Sequence, residues 1–299
     1  MDFDSPAAKF DEAIMLLPLR LREHIRKLPK EKRAKTEEIR LRLGQKPTVS
    51  GPWGEEPFSD TPISGRDIDL FVDIITGASS HTFKDAVKNG YITAKGGFRV
   101  GLGGSVIMSG GEISYYRTVY SAAVRIPRQF IGISDGIIGD IADDTVKSTL
   151  IVSPPGAGKT TLLRDVVRSV SEKGFRVSLI DERCEIAAVS GGKSFDVGKC
   201  TDIIDGCPKS IGIDIATRVL TPSVIAVDEI TQVCDIEKMI NSHNCGIKFL
   251  ATAHAADENE LKSRPLYSKL LASGIFENIV FIEKDKDNRH FTLRKAAEL

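Results

Sequence analysis

The stretch Thr149-Leu-Ile-Val-Ser-Pro-Pro-Gly-Ala-Gly-Lys-Thr160 decides the fold of this 299-residue chain. Thr149 to Val152 form a short apolar run that reads as a buried strand, and it leads straight into a glycine-bearing loop. From Ser153 to Thr160 the loop follows G-x-x-x-x-G-K-[ST], with Ser153 standing where the first glycine is usual. Each residue type has a reason. Gly156 and Gly158 permit the turn that points backbone N–H groups inward at phosphate oxygens. Lys159 carries a charge suited to β- and γ-phosphates, and the Thr160 hydroxyl can ligate Mg²⁺. The helix that follows brings its positive end to the same anion site. Leu162, Leu163, Val166, Val167 and Val170 make one apolar stripe along it, up to Gly174. The expected ligand is a nucleoside triphosphate, its phosphates held by Ser153, Pro154, Pro155, Gly156, Ala157, Gly158, Lys159, Thr160 and Thr161.

Outward from this loop, strand-like runs alternate with helical patterns. The runs are Thr149–Val152, Phe175–Ile180, Ser223–Val227, Ile247–Ala251 and Ile279–Ile282. That alternation predicts an α/β domain with a mostly parallel sheet covered by helices. A second phosphate-handling element is expected at the end of another buried strand, and Ser223-Val-Ile-Ala-Val227 delivers Asp228 and Glu229. Asp228 would hold Mg²⁺, usually through water, while Glu229 would polarise the attacking water. The pair points to hydrolysis rather than binding alone. The next strand delivers His254, which is either a structural histidine or, because in nucleotidases of this class that strand lies between the acidic pair and the phosphate loop, a polar tip that can sense a γ-phosphate.

Other charged residues stay open to two readings. Asp181-Glu-Arg-Cys-Glu185 is either a charged loop or the neighbour of a metal, water or phosphate. Arg218 either pairs locally with an acid or reaches a phosphate across a subunit boundary as an arginine finger. Gly191-Gly192, inside Val189-Ser-Gly-Gly-Lys193, reads as a loop. No N-K-x-D motif occurs, which favours ATP over GTP.

The first third is more polar, and the boundary is expected within Arg128 to Lys147, giving domains 1–131 and 132–299. Helical spacing at Phe10, Ala13, Ile14 and Leu17 ends at Pro18. Ile39, Leu41 and Leu43 alternate with arginines as in a half-buried strand. Ser64-x-x-Asp67 opens an amphipathic helix that ends near Gly77. A short helix is expected over 82–88. Tyr91 to Gly104 reads as a glycine-rich hairpin with tight turns, and Ile113–Ile126 as another strand. This domain is expected to be a smaller α+β unit. Arg20 to Arg42 carries ten Lys/Arg against four Glu. It is either a solvated helical face or a contact for anionic lipid, nucleic acid or an acidic partner.

Composition narrows the function classes. With 41 basic and 41 acidic residues and 41% apolar content, the chain is neither disordered nor basic overall. No apolar run approaches the roughly 18 residues that span a bilayer. The start of the chain lacks the layout of a signal peptide. Five cysteines without a C-x-x-C pair indicate neither a disulfide framework nor a zinc cluster, and a cytoplasmic setting with reduced thiols is expected.

Four segments together resemble the stage III sporulation AA family, within the secretion-ATPase superfamily of RecA-like P-loop proteins. They are the phosphate loop, Asp181 to Ala187, Arg218 with Pro222 to Ile230, and Ala251-Thr-Ala-His-Ala255. Glu38 to Gly44 and Gly90 to Leu102 extend the likeness into the first domain. The resemblance implies a RecA-like ATPase domain with catalytic roles for Lys159, Thr160, Asp228 and Glu229. It puts an Asp-box acid at Glu185 or Glu182 and a His-box residue at His254. The charge-stabilising arginine falls on Arg183 or Arg218. It further implies a hexameric homo-oligomer in the mother-cell cytoplasm, beneath a membrane channel of other sporulation proteins. Thr231-Gln-Val-Cys234 departs from the glycine- and arginine-rich turn expected after the acidic pair. The rival expectations are a nucleic-acid-dependent ATPase, which the neutral charge and 6% aromatic content disfavour, and a non-hydrolysing ring ordered by nucleotide.

Overall fold

Residues 6–77, 91–95, 98–110, 112–189, 194–285 and 288–299 are described in the computed structural model. The chain divides into two compact units, one reaching Gln129 with a short segment from Ala188, the other Phe130–Ala187 with Ser194–Leu299.

In the first unit, helices α1 (Pro6–Ala13), α2 (Leu19–Ile25), α3 (Lys30–Lys35) and α4 (Gly65–Thr76) accompany a sheet ordered β3-β2-β1-β6-β5-β4. Its strands are β1 (Glu38–Arg42), β2 (Thr48–Gly51), β3 (Gly54–Pro57), β4 (Tyr91–Ala94), β5 (Phe98–Ser109) and β6 (Glu112–Arg125), and all neighbours pair antiparallel. Helix α4 begins where the sequence places its start: Ser64 accepts the Asp67 N–H at 3.2 Å, and the Asp67 carboxylate accepts the Ser64 N–H at 2.8 Å. Gly77 closes it in the left-handed conformation. Phe10, Leu17, Ile39, Leu41, Phe71, Phe98 and Val124 are fully buried in one core.

The glycine run Gly101–Gly104 differs from expectation. It does not turn; β5 continues through it, with the register shifting between Gly103 and Gly104. A Cβ on Gly104 would lie 2.0 Å from the Thr118 carbonyl oxygen, so the glycine serves close strand approach at a bulge. The basic run is largely engaged at home. Arg20 pairs with Asp67, Lys32 with Glu56, Arg33 with Asp11, Arg40 with Glu38 and Arg42 with Glu55. The helix expected over 82–88 lies outside the described residues, as do Gly96-Gly97 and residues 190–193.

The second unit is built on a sheet ordered β13-β12-β7-β11-β10-β8-β9. These strands are β7 (Thr149–Ser153), β8 (Val177–Asp181), β9 (Thr201–Asp205), β10 (Val224–Val227), β11 (Lys248–His254), β12 (Asn278–Asp285) and β13 (Asn288–Lys295). All pairs are parallel except β12 with β13. β7, β8 and β10 are buried along their whole length, as strands covered on both faces must be. Helix α5 (Lys159–Glu172) turns Leu162, Leu163, Val166, Val167 and Val170 wholly inward. The order puts β11 between β7 and β10, so the tips of three strands converge beside the phosphate loop. Strands β9 and β13 were not anticipated from the sequence; both are edge strands with polar, half-exposed patterns. Among the described residues, no helix is long and apolar enough to cross a membrane.

Candidate active site

A cleft of about 490 Å³ opens where β7 gives way to α5, lined by residues of the phosphate loop and by Asp181, Glu182, Arg183, Glu185, Lys209, Asp228, Glu229, His254 and Arg289. Gly156 and Gly158 take left-handed conformations, with φ of 74° and 106°, which residues bearing a Cβ rarely adopt. Lys159 is the first residue of α5 and is only 5% exposed. Its ammonium donates to the carbonyls of Ser153 at 3.0 Å and Pro154 at 3.1 Å, and lies 2.7 Å from His254 Nδ1. Burial lowers its pKa, while Asp228 and Glu229 pull it back up.

Thr160 and Asp228 meet as the sequence expects: the Thr160 hydroxyl donates to Asp228 Oδ2 at 2.9 Å. On the other oxygen, Oδ1, Asp228 accepts the Thr252 hydroxyl at 2.6 Å. Thr252 also accepts the Glu229 N–H at 2.8 Å, and Asp228 Oδ1 accepts the same N–H at 3.0 Å. These bonds hold Glu229 at φ 35°, a strained conformation for a side-chain-bearing residue. The Glu229 carboxylate is flanked on both sides. His254 Nε2 lies 3.2 Å from Oε1, and Arg183 donates to Oε2 at 3.5 Å.

The turn after β8 is organised by Asp181, which is 1% exposed. Its carboxylate accepts the N–H groups of Glu185, Ile186 and Ala187 at 2.8–3.0 Å. Burial raises its pKa against those three bonds. The turn carries Cys184 at φ 54° and brings Glu182, Arg183 and Glu185 to the cleft. Arg164 on α5 donates to the Glu185 and Ile186 carbonyls from behind, and burial lowers its pKa to about 10. Glu182 pairs with Lys209, the first residue of α6 (Lys209–Ile215).

The structure thus gathers Pro155, Gly156, Gly158, Lys159, Thr160, Thr161, Arg183, Glu185, Asp228, Glu229 and His254 around one cleft. Ser153 and Pro154 support it through their carbonyls, and Ala157 is buried in the loop itself. Arg218 is not among them. It is 73% exposed on the turn after α6, with Asp214 as its local partner at 3.9 Å. Four residues of the site received no role from the sequence: Thr252 and Asp181, which lie inside segments quoted above but without an assigned part, and Lys209 and Arg289, which lie in no motif. Among the described residues, no group of three or more His, Cys, Asp or Glu side chains is arranged to hold a metal ion unaided. A backbone cradle, a buried ammonium and a hydroxyl–carboxylate pair suit a polyphosphate that brings its own cation.

A family model described as "Sporulation stage III, protein AA" matches residues 8–292. Stage III sporulation protein AA of Bacillus subtilis (strain 168) is 29% identical over 282 residues, which is 92% of this chain and 92% of that protein. Among solved structures, the ATPase DotB of Legionella pneumophila superposes with a TM-score of 0.58 at 15% identity, covering 86% of this chain and 76% of its own. The pilus retraction motor PilT, solved with bound ADP, gives 0.60 at 16% identity, covering 86% and 78%. These two share the mixed α/β fold of this chain. Matched by the family model over nearly its whole length, the chain belongs to the stage III sporulation protein AA family.

Proposed function

We propose that this chain binds MgATP in the cleft and hydrolyses it. The cycle would drive or assemble a secretion-like channel between mother cell and forespore during endospore formation. The observation that carries the reading is the convergence on one cleft of Lys159 and Thr160, which follow β7, with Asp228 and Glu229, which follow β10. Family membership supports the sporulation role, and the fold shared with DotB and PilT supports the motor reading.

Each side chain has work consistent with its surroundings. Lys159, now held by loop carbonyls, can turn to the β- and γ-phosphates, exchanging neutral acceptors for charged ones. Thr160 and Asp228 are adjacent and fit Mg²⁺ shared with phosphate oxygens. Bound Mg²⁺ would neutralise charge that develops on the phosphates. Glu229, fixed by Thr252 and Asp228, would polarise the attacking water. His254 bridges Lys159 and Glu229, so it can relay occupancy of the γ-phosphate position to the water-activating carboxylate. Arg183 stands at Glu229 within the same chain. Arg218 would serve only in a neighbouring copy, consistent with a hexameric homo-oligomer whose sites are completed between subunits. Glu185 or Glu182 would be the Asp-box acid. The assembly would be cytoplasmic and held to the membrane by channel proteins.

Glu229→Gln should retain ATP while slowing turnover by about 10²- to 10⁴-fold, the usual worth of a general base. Turnover close to wild type would remove Glu229 from the mechanism, and loss of ATP binding would make its role structural.

A further inference from the structure

The cleft holds a cation that neither the motifs nor the proposed chemistry uses. Arg289 lies near the start of β13, paired in register opposite Lys284 of β12. β12 runs parallel to β7, Phe281 aligning with Val152, and then continues past the point where β7 ends. The returning strand therefore begins on the phosphate-loop side of the sheet. From there the Arg289 side chain reaches the loop that follows β7, two positions away in the sheet order. A Cβ built on Gly158 would lie 3.2 Å from Arg289 Nε and 3.4 Å from Cζ.

The other cations of the cleft all have partners. Lys159 is held by two carbonyls and His254, Arg183 by Glu229, and Lys209 by Glu182. Among the described residues, no carboxylate or carbonyl pairs with the Arg289 guanidinium, which instead packs against the glycine before Lys159. A guanidinium offers five N–H donors in a planar fork matched to phosphate oxygens. In loops of this kind the backbone N–H groups cradle α- and β-phosphates, whereas the lysine reaches β and γ. Arg289 stands by the backbone cradle. Glu229 and His254, the groups assigned to the γ end, are bonded to other side chains.

We propose that Arg289 contacts the α- and β-phosphate oxygens of a nucleoside di- or triphosphate bound to its own chain. It acts as a cis binding residue distinct from any arginine supplied by a neighbour. The proposal rests on the reading of the cleft as a nucleotide site.

The test is equilibrium binding of MgADP and MgATP to the full chain, for wild type, Arg289→Ala, Arg289→Lys and Lys159→Ala. Arg289→Ala should weaken both nucleotides by a similar factor, about tenfold to hundredfold, as loss of a charge-assisted bond predicts. Arg289→Lys should fall between, keeping charge without the fork, with thermal unfolding unchanged in both variants. Wild-type affinity in Arg289→Ala alongside loss of binding in Lys159→Ala would overturn the proposal and leave the nucleotide site standing. Wild-type affinity in both variants would overturn the site itself. Loss for MgATP alone would place the contact on the γ-phosphate and refute the α/β assignment. Mixing Arg289→Ala with Lys159→Ala chains should not restore affinity; restoration would show that Arg289 acts in trans.

Discussion

Replacing Thr252 by valine isolates the bond that holds the acidic pair. Thr252 is fully buried on β11, donates its hydroxyl to Asp228 at 2.6 Å and accepts the Glu229 N–H at 2.8 Å. Valine keeps the β-branched shape that a buried strand favours, so the sheet should persist. The hydroxyl bond to an ionised carboxylate is worth about 1.5–3 kcal/mol. Glu229 keeps one N–H bond, to Asp228 at 3.0 Å, but its φ of 35° must then be sustained with less support. Strain of that type costs on the order of 1–3 kcal/mol. If about 2 kcal/mol is lost from the transition state alone, kcat should fall roughly 30-fold at 1.36 kcal/mol per decade. Nucleotide affinity, which rests on the phosphate loop, should change by less than about threefold, since the Thr252 hydroxyl bonds Asp228 and the Glu229 N–H rather than the loop. Steady-state hydrolysis paired with MgADP binding reads both quantities. A kcat within about twofold of wild type would refute the positioning role, because a lost bond of this strength is worth several times that. A drop in affinity with kcat preserved would refute it differently, by showing that Thr252 supports the loop.

Two further outcomes follow from the charges. Asp181→Asn replaces an oxygen that accepts a buried backbone N–H with an amide donor, so unfolding of the second unit should ease by about 1–3 kcal/mol. Denaturant unfolding identical to wild type would contradict the role given to this carboxylate. In the first unit, hydrogen bonds from Arg42 and Thr48 hold Glu55 at about 2. A depressed carboxylate stabilises the folded state above its unfolded pKa, and that stabilisation is lost as pH falls towards about 2. Arg42 and Glu55 are 37% and 39% exposed, so solvent screening keeps the effect small. Glu55→Gln should therefore flatten the acid limb of stability while changing neutral stability by less than about 1 kcal/mol. Superimposable acid limbs would contradict it.

What the sequence revealed and what it concealed divide along physical lines. The phosphate loop is legible because its chemistry is contiguous: strand, glycines, lysine and helix follow one another within a dozen residues. Asp228 and Glu229 are legible because an apolar strand precedes them. The capping box at Ser64 and Asp67 is equally local. Lys209 and Arg289 have no such signature, since each is a single polar residue carried to the cleft by helix placement or strand order. Thr252 lies in the segment that delivers His254, but its bonds to the acidic pair show only once β10 and β11 are paired. Alternation of Phe291 and Leu293 with Thr292 and Arg294 was the available sign of β13, weakened by its charged flanks. The Gly101–Gly104 run misleads because glycine marks both tight turns and close strand approach, and only the partner strand decides between them. Arg218 remains a matter for the assembled state, because among the described residues the polar partner it meets is Asp214.

The central claim is tested most directly by steady-state MgATP hydrolysis per mole of protein, measured across protein concentration with Lys159→Ala as the blank. The account predicts activity above the blank and a specific activity that climbs with concentration, as neighbouring chains complete one another's sites. Activity above the blank but flat with concentration would confine every catalytic group to one chain and remove the role proposed for Arg218. Activity equal to the blank at every concentration would contradict the account.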